Sequence, residues 1–124
     1  MNQTIAIAAG GALGALLRYW VSHGVYAVLG RGFPYGTLAV NVLGSLAMGY
    51  LFIVMTERTA LGAEWRAFAL IGLLGAFTTF STFSIETLNL LEQADYVKAV
   101  ANVMISVLAC VGAAFLGVMV ARQL

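Results

Sequence analysis

The chain has 124 residues, of which 62% are hydrophobic and 9% are charged, and its net charge is +1. A soluble domain has about a quarter charged residues, so most of the surface of this protein must be solvated by lipid. The small net charge also argues against binding to nucleic acid, which requires clustered basic side chains. We therefore expect a single transmembrane domain over residues 1–124.

The first half of the chain predicts two transmembrane helices. A hydrocarbon core about 30 Å thick requires roughly 20 apolar residues of helix. The first such run covers about residues 4–29 and contains Arg18 and His23, of which we place His23 near an interface. No Lys or Arg precedes Ile5, so we expect a mature helix rather than a signal peptide. The second run, about residues 36–55, has no charged residue.

The second half predicts two more transmembrane helices. They cover about residues 66–91, with Glu86 inside, and about residues 98–121, with Cys110 inside. Each connection is shorter than about ten residues, so consecutive helices are antiparallel. The single cysteine excludes an intrachain disulfide and a multi-cysteine metal site. The predicted fold class is thus an all-α membrane protein of four helices.

The loop charges give only a weak preference for one orientation in the membrane. With four spans, one side carries Arg58, Arg66 and Arg122, and the other carries Arg31 and Lys98. The positive-inside rule needs a clearer asymmetry than three charges against two. We therefore expect insertion in both orientations and an antiparallel homodimer with a two-fold axis in the membrane plane. The alternative is that one orientation prevails.

The third predicted span has an unusual polar segment near the bilayer midplane. Five of the seven residues 78–84 carry hydroxyl groups. Serine and threonine can return a hydroxyl to a carbonyl one turn earlier, which accounts for one or two of them. Gly72 and Gly75 precede this segment and weaken the helix. We expect a helix break here, because transporters tend to bind ions at such interruptions.

Two phenylalanines interrupt these hydroxyl residues. Phe80 and Phe83 are three residues apart and share a helical face, with Phe77 and Ser84 on the same stripe. Packing against lipid or protein is the ordinary role of phenylalanine in a membrane. Beside hydroxyl groups, however, the positive ring edges can solvate an anion without the tight binding that a full charge would cause.

Polar residues at helical spacing also occur on the second and fourth spans. Thr37 and Asn41 are four residues apart, as are Asn102 and Ser106, and Cys110 continues the second of these lines. Single polar residues often serve only as hydrogen bonds between helices. Their presence on three of the four spans favours a shared polar path, and donors without negative charge suit an anion.

Two charged residues lie inside predicted spans. Because a charge in lipid is costly, Arg18 and Glu86 should face protein or water. Arg18 either reaches an interface or lends positive potential to an anion vestibule. Glu86 fits a pore mouth, where it would be protonated or paired. One histidine, one cysteine and one intramembrane carboxylate form no catalytic constellation, so we do not expect an enzyme.

The third span resembles the fluoride channel family, the Fluc proteins of bacteria. Residues 75–84, GAFTTFSTFS, match that family's G-x-x-T-T-F-S-T-F-S core. Residues 10–19 and residues 34–49, PYGTLAVNVLGSLAMG, are similar to the family in the first and second spans. The resemblance extends over the whole chain in length and span order.

The resemblance implies an antiparallel, dual-topology homodimer with two passive fluoride pores, which exports fluoride across the bacterial inner membrane and relieves its toxicity. It implies that the ring edges of Phe80 and Phe83 face fluoride, and that the backbone carbonyls of Gly75 and Thr78 hold a structural sodium ion at the dimer interface. It also implies Asn41, Ser81 and Thr82 along the fluoride pore and Glu86 toward a pore end. From the polar residues themselves, the candidate pore residues also include Thr37, Ser84 and Ser106, with Arg18 at a vestibule.

Two other interpretations remain open at this point. A small multidrug transporter also has four spans and dual topology, but it requires a membrane-embedded carboxylate in the first span. Here the first span carries Arg18 and neither Asp nor Glu. A structural or regulatory membrane subunit is the second alternative, and it would not explain polar residues on three spans.

Overall fold

The computed structural model describes residues 2–124. Within them, four helices are long and apolar enough to cross a membrane, namely Gln3–Leu29, Tyr35–Arg58, Ala63–Glu92 and Tyr96–Gln123. We refer to them as the first to fourth spans. The predicted spans agree with these bounds at most ends, and the chain is an all-helical membrane protein with four membrane-spanning helices.

The second and third spans are not uniform α-helices. The second consists of an α-helix, Tyr35–Ile53, extended by wider π-helical turns over Val54–Arg58. The third consists of Ala63–Arg66, a π-helical stretch Ala67–Leu74, Gly75–Phe77 and Phe80–Glu92.

The second span extends further than the sequence predicted, because the predicted loop began at residues that are helical. Thr56, Glu57 and Arg58 are helical, although we expected them in the connection. Two contacts explain the difference. The Thr56 hydroxyl donates to the carbonyl of Phe52 one turn earlier, and the Arg58 guanidinium donates to the Arg122 carbonyl at 2.8 Å. These bonds supply partners for polar groups at the helix end, so helix continues until residue 58.

Polar contacts join the spans at both ends of the bundle. At one end, Arg122 also pairs with Glu57 at 3.3 Å. At the other end, Lys98 donates to the Gly32 carbonyl at 2.9 Å and thereby links the first reversal to the start of the fourth span. The first reversal begins at Gly30, whose φ of 81° favours glycine.

Glycines set the closest helix contacts, because a residue without a side chain lets two helix backbones approach each other. Gly10 and Gly14 of the first span lie against the third, where a Cβ atom would overlap the backbone of Phe68 and Leu73. Gly49 and Gly117 bring the second and fourth spans together in the same way. The tight pairs are therefore first with third and second with fourth, and most large apolar side chains face outward, as lipid requires.

Candidate functional site

The polar segment of the third span contains two extended residues. Thr78 has φ −84° and ψ 158°, and Thr79 has φ −151° and ψ 115°, between Gly75–Phe77 and Phe80–Glu92. The Thr79 hydroxyl then caps the following helix by accepting from the Thr82 amide at 3.2 Å. A side-chain cap at this position satisfies a backbone donor that has no helical partner.

One side chain of the second span satisfies the backbone of Thr79 on both sides. The Thr79 amide donates to Asn41 Oδ1 at 2.7 Å, and Asn41 Nδ2 donates to the Thr79 carbonyl at 3.0 Å. An asparagine amide has two N–H groups, so this pairing uses one of them and leaves a second donor on Nδ2.

These bonds change the partners of two backbone carbonyls. In a continuous α-helix the amide of residue i+4 donates to the carbonyl of residue i. The amides of Thr79 and Thr82 donate instead to side-chain oxygens of Asn41 and Thr79. The Gly75 and Thr78 carbonyls therefore lose their usual helical donors, and Gly75 lies at an exposed position.

A first groove lies between the second, third and fourth spans, and we call it the Phe groove. Phe80 and Phe83 form one wall, with ring centroids 5.3 Å apart and ring planes inclined by 36°. Phe80 is 77% exposed, so this wall is open at the surface of the single chain. The groove encloses about 390 Å³ and is lined by Asn41, Gly44, Ser45, Met48, Thr78, Thr79, Phe80, Phe83, Ser106, Val107, Cys110, Val111 and Ala114.

A second cavity lies between the first three spans, and we call it the Arg18 cavity. It encloses about 320 Å³ and is lined by Ala15, Arg18, Tyr19, Ser22, His23, Thr37, Val40, Thr79 and Thr82. Thr79 lines both spaces, so the Arg18 cavity and the Phe groove adjoin at this residue. The polar residues that the sequence grouped along one path are thus divided between two spaces.

Glu86 is paired within the chain. Its carboxylate accepts a hydrogen bond from the Tyr26 hydroxyl at 2.6 Å and another from the Thr37 hydroxyl. The guanidinium of Arg31 lies 4.4 Å from the centre of the Tyr26 ring. Two hydroxyl donors from two other spans therefore hold Glu86, and the carboxylate does not line either space.

Several predicted residues lie outside both spaces. The Ser84 hydroxyl returns to the Phe80 carbonyl at 2.9 Å, and Ser81 Oγ lies 3.4 Å from Thr79 Oγ1. Phe77 does not line the Phe groove, and two extended residues separate it from the helix that carries Phe80 and Phe83.

The polar residues of the fourth span serve partly as contacts between helices. Asn102 is buried and donates to the Thr87 hydroxyl of the third span at 2.9 Å. Ser106 in turn donates to Asn102 Oδ1 at 3.3 Å, and it also lines the Phe groove. Ser106 and Cys110 reach the groove, whereas Asn102 connects two spans.

Sequence reasoning missed Tyr26, Thr87 and Met48. Tyr26 holds Glu86, Thr87 holds Asn102, and Met48 lines the Phe groove. A tyrosine near a helix end is ordinarily read as an interfacial side chain, and no spacing within one span indicates its partner sixty residues away. Only the docking of the spans identifies these residues.

Backbone carbonyls, as well as side chains, can serve as ligands of a cation. Residues 2–124 contain no group of three or more His, Cys, Asp and Glu side chains placed to hold a metal ion. The Gly75 and Thr78 carbonyls are oxygen donors of the type that hard cations prefer.

The comparisons with known proteins agree on one family. Residues 5–118 match the family described as CrcB-like protein, Camphor Resistance (CrcB). A protein of Methylococcus capsulatus, named fluoride-specific ion channel FluC, is 56% identical over 125 residues, which cover 100% of this chain and 55% of that protein. This chain therefore spans about half the length of that relative.

Two other relatives with the same name match this chain over nearly their whole length. The protein of Magnetococcus marinus is 53% identical over 120 residues, 97% of this chain and 98% of its own. The protein of Geobacter metallireducens is 49% identical over 124 residues, 100% of both chains.

Proposed function

This chain belongs to the CrcB-like protein family, and we propose that it is a passive, fluoride-selective ion channel and not an enzyme. The observation that supports this best is its 49–56% identity, over 97–100% of its length, to proteins named fluoride-specific ion channels. The four apolar helices are those of a multi-pass membrane protein. The Phe groove offers the chemistry that such a channel requires.

The lining of the Phe groove suits a small, strongly hydrated anion. Asn41 supplies an uncharged donor in its second N–H, and Phe80 and Phe83 supply ring edges with positive character. No charged side chain lines the groove among residues 2–124. Fluoride would therefore exchange its water for weak donors and leave again, since conduction requires binding sites that are not too strong.

The Phe groove is open on one side, and a second copy of the chain could close it there. Phe80 is 77% exposed and Phe83 is partly exposed, so one chain leaves the aromatic pair open toward its surroundings. We propose an antiparallel, dual-topology homodimer in the bacterial inner membrane. The balance of loop charges, three on one side and two on the other, is compatible with both insertions.

A structural sodium ion at the centre of this dimer fits the backbone of the third span. The Gly75 and Thr78 carbonyls have lost their helical donors to Asn41 and Thr79. Gly75 is exposed, so its carbonyl can lie at an interface between two copies. When bound, sodium would supply positive charge among these oxygens. Asn41 and the Thr79 hydroxyl would hold the carbonyls in place from within each subunit.

Passive conduction is sufficient for fluoride export. Hydrogen fluoride crosses a bilayer as a neutral acid and dissociates in the less acidic cytoplasm. The membrane potential is worth about 2.3 kcal/mol per charge per 100 mV, and it drives an anion outward through an open pore. The chain would thereby relieve fluoride toxicity without an energy-coupling module.

Small multidrug transporters remain the alternative of similar size. Their mechanism requires an acidic side chain in the first span for proton exchange. Residues Gln3–Leu29 contain neither Asp nor Glu, and they place Arg18 beside the Arg18 cavity. A cationic drug would be repelled from this cavity, so the structure favours an anion.

Efflux from liposomes tests the proposal. Purified protein is reconstituted in liposomes loaded with potassium fluoride or potassium chloride, and an ion-selective electrode follows release after potassium is made permeant. We expect fast fluoride release, negligible chloride release, and at least a tenfold loss of fluoride release in Phe83→Ala, as expected when aromatic groups that solvate the ion are removed.

Phe115→Ala is the matched control. Phe115 is 65% exposed on the fourth span and lines neither the Phe groove nor the Arg18 cavity. This variant should release fluoride at the unaltered rate. Equal release of fluoride and chloride, or proton-driven uptake of a cationic dye in place of fluoride release, would refute the proposed function.

A further inference from the structure

His23 is a second basic side chain in the Arg18 cavity. The cavity receives Arg18 and His23 from the first span, Thr37 and Val40 from the second, and Thr79 and Thr82 from the third. The second and third spans thus contribute no charged group to this lining.

One carboxylate and one guanidinium lie just behind the lining of the Arg18 cavity. Glu86, the nearest carboxylate that these elements bring toward the cavity, is held by the hydroxyls of Tyr26 and Thr37. Arg31 stacks on the outer part of Tyr26. Hydroxyl donors leave the Glu86 carboxylate charged, so Arg18 is the positive charge of the lining that opposes it, and a protonated His23 adds a second.

The hydrogen bonds of His23 leave one ring nitrogen free to take a proton. Nδ1 lies 2.8 Å from the Tyr19 carbonyl oxygen. A carbonyl only accepts hydrogen bonds, so Nδ1 must carry the hydrogen. In the neutral ring Nε2 is then the basic nitrogen, and His23 is exposed.

The surroundings of His23 also accommodate the charged ring. The Tyr19 ring lies with its centroid 4.1 Å from that of His23, at an inclination of 32°. An aromatic face attracts a cation, and the Tyr19 carbonyl continues to accept from Nδ1 when the ring is charged. The hydrogen bond to the Tyr19 carbonyl is therefore available in both protonation states of His23.

We propose that protonated His23 joins Arg18 as an anion-attracting residue at the vestibule of the fluoride pathway, so that fluoride conductance rises in acid. This inference rests on the proposed function. A cavity with basic groups and low-dielectric walls concentrates anions and speeds their arrival. The Thr82 hydroxyl in the same lining accepts from Thr79 and keeps its own hydrogen, so it can replace part of the water around the ion.

The single histidine makes this proposal unusually simple to test. His23 is the only histidine of the chain, and histidine is the side chain whose unperturbed charge changes between pH 5 and pH 8. Acid also converts more external fluoride to membrane-permeant hydrogen fluoride. A conductance that rises on protonation would therefore increase fluoride export under the conditions in which more hydrogen fluoride enters the cell.

The experiment records fluoride currents of the reconstituted channel at about pH 5.5 and about pH 7.5, on either side of the ordinary histidine titration. We expect wild-type conductance to be roughly two- to fivefold higher at the lower pH, the size of effect that one added unit charge produces near water. His23→Gln should be low at both pH values, and His23→Arg should be high at both.

Lys98→Gln is the matched control for surface charge. It removes a positive charge from the same end of the bundle, but Lys98 lies outside the Arg18 cavity and contacts Gly32 and Asp95. This variant should keep the wild-type pH dependence. Currents in protein-free bilayers are subtracted, and the elution profile of each variant in detergent checks its assembly.

The possible outcomes separate this inference from the proposed function. If the wild type conducts fluoride equally at both pH values, or if His23→Gln keeps the pH dependence, the role of His23 is refuted and the channel function stands. Absence of fluoride current at either pH refutes the channel function itself. If His23→Gln misassembles, reversible ethoxyformylation of wild-type His23 with diethyl pyrocarbonate must abolish the pH dependence.

Discussion

Asn41 and Thr79 show how one side chain can satisfy a peptide that has no helical partners inside a membrane. The extended backbone at Thr79 presents an amide and a carbonyl that no helix satisfies, and Asn41 pairs with both at 2.7 and 3.0 Å. An unpaired backbone group costs several kcal/mol in hydrocarbon. Asn41 therefore acts first as a partner of the third-span backbone, and only its remaining N–H can face an ion.

Replacement of Asn41 by alanine tests this contact. We expect Asn41→Ala to lower the free energy of unfolding by about 1–3 kcal/mol, since two intramembrane hydrogen bonds are lost. Fluoride release should fall as well, because Thr79 borders both the Phe groove and the Arg18 cavity. Unfolding in mixed detergent micelles with increasing dodecyl sulfate measures the stability change.

Asn89→Ala serves as the control at the residue scale. Asn89 is exposed on the same third span, and such surface changes usually stay within about 0.5 kcal/mol. Equal stability of Asn41→Ala and Asn89→Ala would show that the pairing with Thr79 does not support the segment.

At the scale of the helices, glycine determines which spans touch. Gly14 lies so close to the third span that an added Cβ would overlap the Leu73 carbonyl, and Gly49 stands in the same relation to Ala114 of the fourth span. Lipid provides no hydrophobic force between helices, so this close approach and its dispersion contacts hold the bundle. The position of the third span against the first also places Thr82 at the Arg18 cavity.

Two alanine substitutions on the first span separate packing from helix propensity. Gly14→Ala should destabilise the protein by about 1–3 kcal/mol, because the methyl group forces the first and third spans apart. Gly24→Ala meets no atom within 4 Å and should be neutral or stabilising by up to about 1 kcal/mol. The same micelle unfolding measurement applies, and destabilisation of both variants to a similar extent would contradict the packing assignment.

At the scale of the whole molecule, loop charge and groove geometry point to the same assembly. The two ends of the bundle carry nearly equal numbers of basic residues, and the Phe groove is open on one side. A homodimer of oppositely inserted copies would use both features. Its formation should therefore be sensitive to charges far from the groove.

Added loop charges test the dual topology. Thr59→Lys with Ala60→Lys raises the basic residues at one end from three to five and should impose one orientation. We expect fluoride release to fall severalfold, since antiparallel pairs can no longer form. Labelling of an added loop cysteine with a membrane-impermeant reagent, in a Cys110→Ala background, reports the orientation.

A compensated variant provides the control for this prediction. Addition of Glu92→Lys and Gln93→Lys to the same protein raises the opposite end from two basic residues to four, and the near balance returns. Fluoride release should recover. Full release from the unbalanced variant, with a single orientation shown by labelling, would rule out the antiparallel dimer as the conducting form.

The four spans and the main glycine contacts were predictable because they depend on local patterns. A run of roughly 20 apolar residues suffices to recognise a membrane helix, and small residues at intervals of four indicate close packing. The end of the second span was less predictable, since the contact between Arg58 and the Arg122 carbonyl extends the helix beyond its apolar run.

The sequence by itself determined two things: that this is a membrane protein, from its composition, and which family it resembles, from the third-span motif. Both conclusions depend only on the identity and order of the residues. Only the tertiary structure decided the partners of the polar groups: Asn41 with Thr79, Glu86 with Tyr26, and His23 beside Arg18. Two extended residues at Thr78 and Thr79 shift the phase of the following helix. Helical spacing within one span does not specify such a shift or the rotation at which spans dock.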